Sequence, residues 1–407
     1  MNLKNLNYSP VLETESKNAI QSLNVTKFPH RNQEKWKYSK LSRLKKTSFH
    51  NQHNFQLNDL SDLSLPINNG LVIVVENGKI NSSLTDAFSQ SNLSITTFSE
   101  NKKDIKESIN NYNKDWDNYF SYLNQSYLED GILIKVDDDS QIEQPINIIY
   151  INTLENFLSN TRLNVIIGDR SFLEIKQYFI NKPGISNSFI NHISEFEIAI
   201  NGKLKIDKFQ DINENFNICS ENISQLESSH FSINTFSNSG QIIRNDINVD
   251  VSGEFCHTEL NGVFNPSKNQ HIDQHTTINH LLPNCNSFEN YKGIIRDNGI
   301  GVFNGKVIVH KDAQKIEAFQ QNNNVLIDLD AQVYSKPELE IYADDVKCSH
   351  GSTTGQFDDQ ALFYLRSRGL SRSKAIDLLT SGFINEVIEK ASGLEYREFL
   401  LKKLINS

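Results

Sequence analysis

Ile247-Asn248-Val249-Asp250-Val251-Ser252-Gly253 alternates apolar and polar residues and then breaks on a small, flexible pair. Alternation places every second side chain on one face, which marks a half-buried strand, and Ser-Gly is turn chemistry. The same phrase recurs along the chain. Ile132-Leu133-Ile134-Lys135-Val136, Ile146-Asn147-Ile148-Ile149-Tyr150-Ile151, Phe172-Leu173-Glu174-Ile175 and Leu204-Lys205-Ile206 precede it. Val307-Ile308-Val309, Val325-Leu326-Ile327-Asp328-Leu329 and Leu339-Glu340-Ile341 follow it. Further turn pairs stand at Gly168-Asp169, Asn201-Gly202 and Asn304-Gly305. No helix-length pattern interrupts residues 131 to 345, which argues against alternating strand–helix folds. A barrel, a sandwich or a β-solenoid remains. No strict short repeat is visible, but Asn and Ser near the turns suit an irregular parallel β-helix.

On either side the period changes. Residues 1–130 read as a mixed, largely helical region. Within it, Leu71-Val72-Ile73-Val74-Val75 ends at Asn77-Gly78, a strand and a turn. Ile105, Ile109, Tyr112, Trp116, Tyr119 and Tyr122 recur every three or four residues and predict a helix over 104–127. Residues 131–350 form the β unit and residues 351–407 a helical tail. Asp358 and Asp359 favour a helix start, Gly369 a stop, and Ser371 or Ser373 a cap for the next helix. That helix carries Ile376, Leu379, Phe383, Ile384 and Val387, and a third segment carries Phe399, Leu400 and Leu404. Three short helices cannot bury this much apolar surface among themselves. Part of it receives another protein or packs back on the β unit.

Composition narrows the function classes. The 407 residues include 40 basic and 50 acidic side chains, a net charge of −10, which argues against a general nucleic-acid binder. Four cysteines, at 219, 256, 285 and 348, are too sparse for a disulfide framework, and none forms a C-x-x-C pair. A reducing, cytoplasmic location is the simpler expectation. No apolar run approaches the ~18 residues that would span a membrane. Met1 to Asn7 lacks the apolar segment of a secretory signal.

Two clusters carry ligand chemistry. In Val346-Lys347-Cys348-Ser349-His350-Gly351, Cys348 and His350 are two apart, so on a strand they share a face. Thiol and imidazole together suit iron or zinc. Two ligands cannot complete a tetrahedral site, so the rest would come from elsewhere in the fold or from another chain. The plainer alternative is a buried structural Cys beside a hydrogen-bonded His. His271, Asp273 and His275 also share a strand face, with His280 on the opposite one. They would hold a metal in a stand-alone metal-dependent β-helix enzyme, or form a hydrogen-bonded ladder. Cys256 and His257 are adjacent and diverge. Gly301-Val302-Phe303-Asn304-Gly305-Lys306 is too short between its glycines for a phosphate loop, lacks the Ser/Thr at Val307, and reads as strand-turn-strand. There is no G-x-G-x-x-G, nucleophile elbow or H-E-x-x-H, so no autonomous NTPase or hydrolase is expected.

An ordered set of motifs carries a resemblance. Tyr291-Lys292-Gly293, Gly301 to Lys306, Ala313-Gln314-Lys315, Pro337-Glu338-Leu339-Glu340-Ile341, Ala343 to Gly351, Leu362-Phe363-Tyr364-Leu365 and Arg368-Gly369 resemble the SufB/SufD family, which assembles iron–sulfur clusters. Pro29-His30-Arg31 with Glu34-Lys35-Trp36-Lys37-Tyr38 is similar to the family's N-terminal region. Asn284-Cys285-Asn286-Ser287 and the modest length look more like the SufD branch. Ser352 stands where the family often has Ala. The resemblance implies a mainly β fold, a right-handed parallel β-helix flanked by N- and C-terminal helical regions. It implies a non-catalytic scaffold that pairs with a SufB-like subunit and a SufC-like ATPase. Cys348 and His350 would lie at the SufB-facing interface, His350 the better candidate for nascent-cluster chemistry. Leu362, Phe363, Leu365, Ile376, Leu379 and Phe383 would receive the ATPase. No permanent cofactor is implied; iron or a nascent cluster would pass through transiently.

Overall fold

The computed structural model describes residues 1–407 except 9, 68, 89–90, 104, 106–117 and 406–407. Among the described residues the N-terminal region includes the helices α1 (Glu13–Val25), α2 (Ser42–Lys46) and α3 (Tyr119–Tyr127). Short strands accompany them: β1 (Asn2–Asn5), β2 (Ser48–His50), β3 (Leu71–Glu76), β4 (Lys79–Ile80) and β5 (Leu93–Thr97). Then come β6 (Ile132–Val136), β7 (Ile146–Asn152), β8 (Leu158–Ile167), β9 (Phe172–Asn181), β10 (Phe189–Ile198), β11 (Lys203–Asp211), β12 (Phe216–Gln225) and β13 (His230–Ser239). The series continues with β14 (Ile242–Val251), β15 (His257–Phe264), β16 (His271–His280), β17 (Asn286–Ile295), β18 (Ile300–Val309), β19 (Ile316–Leu326), β20 (Gln332–Ile341) and β21 (Val346–Gly355). Helices α4 (Asp359–Ser367), α5 (Arg372–Ile388) and α6 (Leu394–Ile405) close the chain.

From β6 onward the strands alternate between two facing parallel sheets, even numbers in one and odd numbers in the other. The fold is therefore mainly β, a parallel β-solenoid with helices at both ends of the chain. Stacked positions lie 26 to 32 residues apart. That spacing varies, and this is why no strict repeat shows in the sequence. One corner of each rung is set by a residue in the left-handed region: Asp139, Arg170, Asn201, Ser228, Phe255, Asn284 and Lys315 all have φ between 56° and 62°. Inward-facing Ile, Val and Phe form a continuous core that includes Ile148, Ile175, Ile206, Ile233, Leu260 and Val307. Asn ladders add hydrogen bonds along the axis, as in Asn261 to Asn234 at 3.0 Å and Asn234 to Asp207 at 2.7 Å. The middle rungs also enclose a Lys208–Glu221 ion pair at 2.6 Å, both side chains wholly buried.

Asn304-Gly305 does not make a turn; β18 runs unbroken through it. Gly305 is there for space: a Cβ would collide with Gln320 Nε2. Of the helix expected over 104–127, Ile109, Tyr112 and Trp116 lie outside the described residues. Ile105 is helical, but Asn118 is extended and breaks the expected helix; a helix starts afresh at Tyr119, where the Asn118 side chain accepts from the Phe120 and Ser121 N–H groups. The solenoid takes in N-terminal strands as well, since β3 pairs with β7 and β5 with β6.

Both flanking regions pack back on the solenoid. Trp36, Phe49 and Phe120 cover Leu158, Phe189, Phe216 and Ile242 on the even sheet. Ile384, Val387, Tyr396, Leu400 and Leu404 cover Tyr178, Phe209, Phe236 and Val263 on the odd sheet. Ser371 caps α5, and Gly369, at φ 93°, follows the end of α4.

Candidate functional site at the open end of the solenoid

β20 and β21 are the end strands of their sheets. Each therefore presents an edge whose backbone groups have no neighbouring strand beyond them. Cys348 and His350 sit on β21 in register with Ala318 and Gln320 of β19, whose side chains are buried. The pair thus lies on the inward face of the last rung. Cys348 is half-buried against the core, and burial raises its thiol pKa. His350 is exposed. The two expected ligands are on one face, as their spacing implied, and that face opens at the end of the stack.

Beneath His350 lies a polar column. Gln320 is in register with Glu289 of β17, and its Nε2 donates to Glu289 Oε2. Both side chains are buried, and Glu289 Oε1 and Gln320 Oε1 have no hydrogen-bond partner among the described residues. Burial pushes the Glu289 carboxyl up to about 7. Sequence reasoning missed both residues, because the signal is a register between strands some thirty residues apart. Ser352 closes the rung sideways, donating to Ser335 Oγ at 2.7 Å across β21 and β20.

The His271, Asp273 and His275 face is a different kind of site. His275 Nε2 lies 2.7 Å from Asp273 Oδ1, and His271 Nε2 is 3.9 Å from Oδ2. The place a metal would take is occupied by a cation: Arg244 Nη1 is 2.9 Å from Asp273 Oδ2 and 3.1 Å from His275 Nε2. Arg244 also pairs with Asp246 at 2.6 Å and stacks 3.9 Å from the Trp36 ring centroid. Ser39 donates to Asp273 as well. Burial opposes the charge on Asp273, but His275 and Arg244 outweigh it and hold its pKa well below the usual carboxylate value. The metal-enzyme expectation is corrected here: the cluster pins the N-terminal segment to the even sheet. Among the described residues no group of three His, Cys, Asp or Glu side chains is placed to hold a metal ion. His280 does face inward, 2.9 Å from Ser287 Oγ.

The tail residues divide. Ile376 is buried, and Phe383 packs on the solenoid, with Lys292 Nζ 5.2 Å from its ring centroid. They turn inward because α5 lays that face on the odd sheet. Leu362, Leu365 and Leu379 are half-buried, and Phe363 is 73% exposed on α4, a helix with no buried residue. Between the tail and the last rungs, a cleft of about 680 Å³ is lined by residues including Asp297, Asp328, Asp330, Leu362 and Arg372.

Comparison with known proteins agrees with this geometry. Residues 149–383 match the family described as SUF system FeS cluster assembly, SufBD core domain, and residues 2–148 match the SufBD protein N-terminal region. The iron–sulfur cluster assembly protein SufD of Escherichia coli is 41% identical over 150 residues, which covers 37% of this chain and 36% of that protein. A SufBD family protein of Synechocystis is 26% identical over 396 residues, 93% of this chain and 87% of the relative. The chloroplastic protein ABCI7 of Arabidopsis thaliana is 29% identical over 303 residues, 72% of this chain and 63% of the relative. With both regions matched in order along the chain, this protein belongs to the SufB/SufD family of iron–sulfur cluster assembly proteins.

Proposed function

We propose that this chain is a non-catalytic scaffold subunit of an iron–sulfur assembly complex, pairing with a SufB-like paralogue and a SufC-like ATPase in a reducing cytoplasm. One observation carries the reading. A thiol and an imidazole share the inward face of the terminal rung, where the edges of β20 and β21 are free. An incomplete ligand pair at an uncapped end is what a shared site needs: a second solenoid end would cover the edges and supply the missing ligands. Iron or sulfide held there would be cargo, released as the cluster is completed. The exposed α4, with Phe363 at its surface, offers the ATPase a seat beside the acidic cleft, and motion of that subunit would reach the last rungs through α4 and α5. The net charge of −10 and the absence of a basic excess speak against nucleic acid as a partner.

The test is an affinity pull-down of the tagged chain from its own cytosol, followed by cluster assembly with the purified complex. Recovery of a paralogous solenoid and a P-loop ATPase, with assembly lost in His350→Ala, is the expected result. Assembly at the wild-type rate in His350→Ala would sink the role given to that residue. Recovery of the chain alone would sink the scaffold reading.

A further inference from the structure

Cys256 and Cys285 occupy the same corner of the solenoid on successive rungs of the odd sheet. Each immediately precedes a strand, and the first residues of those strands, His257 and Asn286, are register partners. The Asn286 N–H donates to the Cys256 carbonyl at 3.0 Å, and the Cys256 N–H donates to Cys285 Sγ at 3.4 Å. Cys256 Sγ lies 3.1 Å from the Leu226 carbonyl and 3.4 Å from that of Gly253, and Cys285 Sγ lies 3.2 Å from the same Gly253 carbonyl. Neighbouring strands run about 4.8 Å apart, inside the roughly 4.4–6.8 Å of Cα separation that a disulfide spans. The sulfurs of the two cysteines therefore converge.

Corner packing does not require thiols here. Ser171 and Ser229 fill the equivalent position on earlier rungs, each following a left-handed corner residue, Arg170 or Ser228. Ser171 Oγ accepts the Ser140 N–H at 2.9 Å, as Cys285 Sγ accepts that of Cys256. What the two cysteines add is soft, oxidisable chemistry. They are buried, but the corner residue next to Cys256, Phe255, is 56% exposed and held at φ 58°, a strained conformation for a bulky side chain.

We propose that Cys256 and Cys285 form a reversible dithiol–disulfide site, oxidised by a low-molecular-weight disulfide. The Cys256 thiolate attacks one sulfur of that disulfide, forming a mixed disulfide and releasing one thiolate, which takes up a proton. The Cys285 sulfur, having lost its proton to solvent, then attacks the Cys256 sulfur. The protein S–S bond forms, and the second small thiol leaves. Two protein thiols are oxidised and one small disulfide is reduced to two thiols, so no other oxidant is needed. The Ser229 hydroxyl lies 3.6 Å from Cys256 Sγ and can donate to its thiolate, so Cys256 attacks and Cys285 resolves. The bond would tie the rungs of β15 and β17 together just below the open end.

The full chain, without partner or iron, is incubated natively with oxidised glutathione, alkylated, and examined by intact mass and peptide mapping. The expected result is the loss of two hydrogen masses and a cross-linked peptide joining 256 to 285, both reversed by dithiothreitol. The oxidised form should unfold at higher temperature. Cys256→Ser and Cys285→Ser should each abolish the cross-link, and Cys219 should stay reduced in all forms. Glutathione found on Cys348 alone, or no change of mass before unfolding, would overturn the proposal. The wild-type mass decides this even if a serine variant fails to fold, and it is independent of any role in cluster assembly.

Discussion

Glu289→Gln tests the polar column under His350 by its dependence on pH. The carboxyl is 3% exposed, its hydrogen-bond donor is the uncharged Gln320 amide, and burial raises its pKa from 4.5 to about 7 in the folded chain. A folded-state pKa above the unfolded value means that the folded chain binds this proton more tightly. The stabilisation is fully present below the unfolded value of 4.5 and is lost as pH rises through about 7. A rise of that size, at 1.36 kcal/mol per pH unit, corresponds to about 3 kcal/mol. Glutamine keeps the shape and never ionises. Urea unfolding of both proteins from pH 4 to pH 8 isolates the effect, because every other titrating group cancels in the difference. Relative to wild type, the variant should gain about 3 kcal/mol across that window, with most of the change between the two pKa values. A difference that stays flat with pH would refute the burial argument. It would mean that the carboxyl is solvated or ionised against a cation in solution.

Three further substitutions address other parts of the structure. Gly305→Ala sets a methyl against Gln320 Nε2 and the Phe303 ring, and overpacking should cost about 1–3 kcal/mol by denaturant unfolding; an unchanged midpoint would mean that Gln320 has room to move. Asp273→Ala strips Arg244 of one of its two carboxylates and frees Ser39, so a loss of about 3 kcal/mol is expected, with earlier proteolysis of the N-terminal segment. Adding zinc or ferrous iron to the isolated wild-type chain should not raise its melting temperature through this cluster, and a rise abolished by Asp273→Ala would restore the metal reading. Leu400→Ala opens a cavity between α6 and the odd sheet and should cost about 2–5 kcal/mol; limited proteolysis releasing the tail would show that the helices are held by this contact.

Much of the fold was legible because its signals are local. The alternation in Ile247 to Val251, the Ser371 cap and the Gly369 stop need no knowledge of distant residues, and each is where the pattern put it. The repeat is hidden for a physical reason. What recurs is a backbone conformation, not a letter: the same left-handed corner is built by Asp139, Asn201, Phe255 and Lys315, with rung lengths that vary. Asn304-Gly305 misled for the converse reason. The pair has turn chemistry, yet here glycine answers a side chain on a neighbouring strand. At the site, the spacing of Cys348 and His350 told of a shared face, while Gln320 and Glu289 beneath them follow from register, which no single segment encodes. The Arg244 guanidinium that sits between Asp273 and His275 also comes from the strand next door.

The two ends of the solenoid are finished differently, and this bears on what the open end is for. At the N-terminal end each sheet stops on a reversed strand: β4 turns back on β3 and β5 runs against β6. Antiparallel closure of this kind ends the stack inside the chain itself. At the other end both sheets stop on parallel strands with free edges, and Tyr334, Ile341 and Tyr342 are left 37%, 41% and 62% exposed. Solenoids need capping repeats to remain soluble, and a free parallel edge invites pairing with another strand. Pro337 within β20 removes one donor from that edge, and Lys336 and Glu338 add charge, but β21 carries Ser349, Gly351, Ser352 and Thr353 with little to discourage a neighbour. The N-terminal segment reinforces this rim without covering it: Tyr38 stacks on Tyr334 at 4.6 Å and Glu34 pairs with Lys336 at 2.6 Å. Two needs thus meet at one place, an uncapped end and an incomplete ligand pair. A second solenoid of the same architecture would satisfy both at once, whereas a small ligand would satisfy only the second.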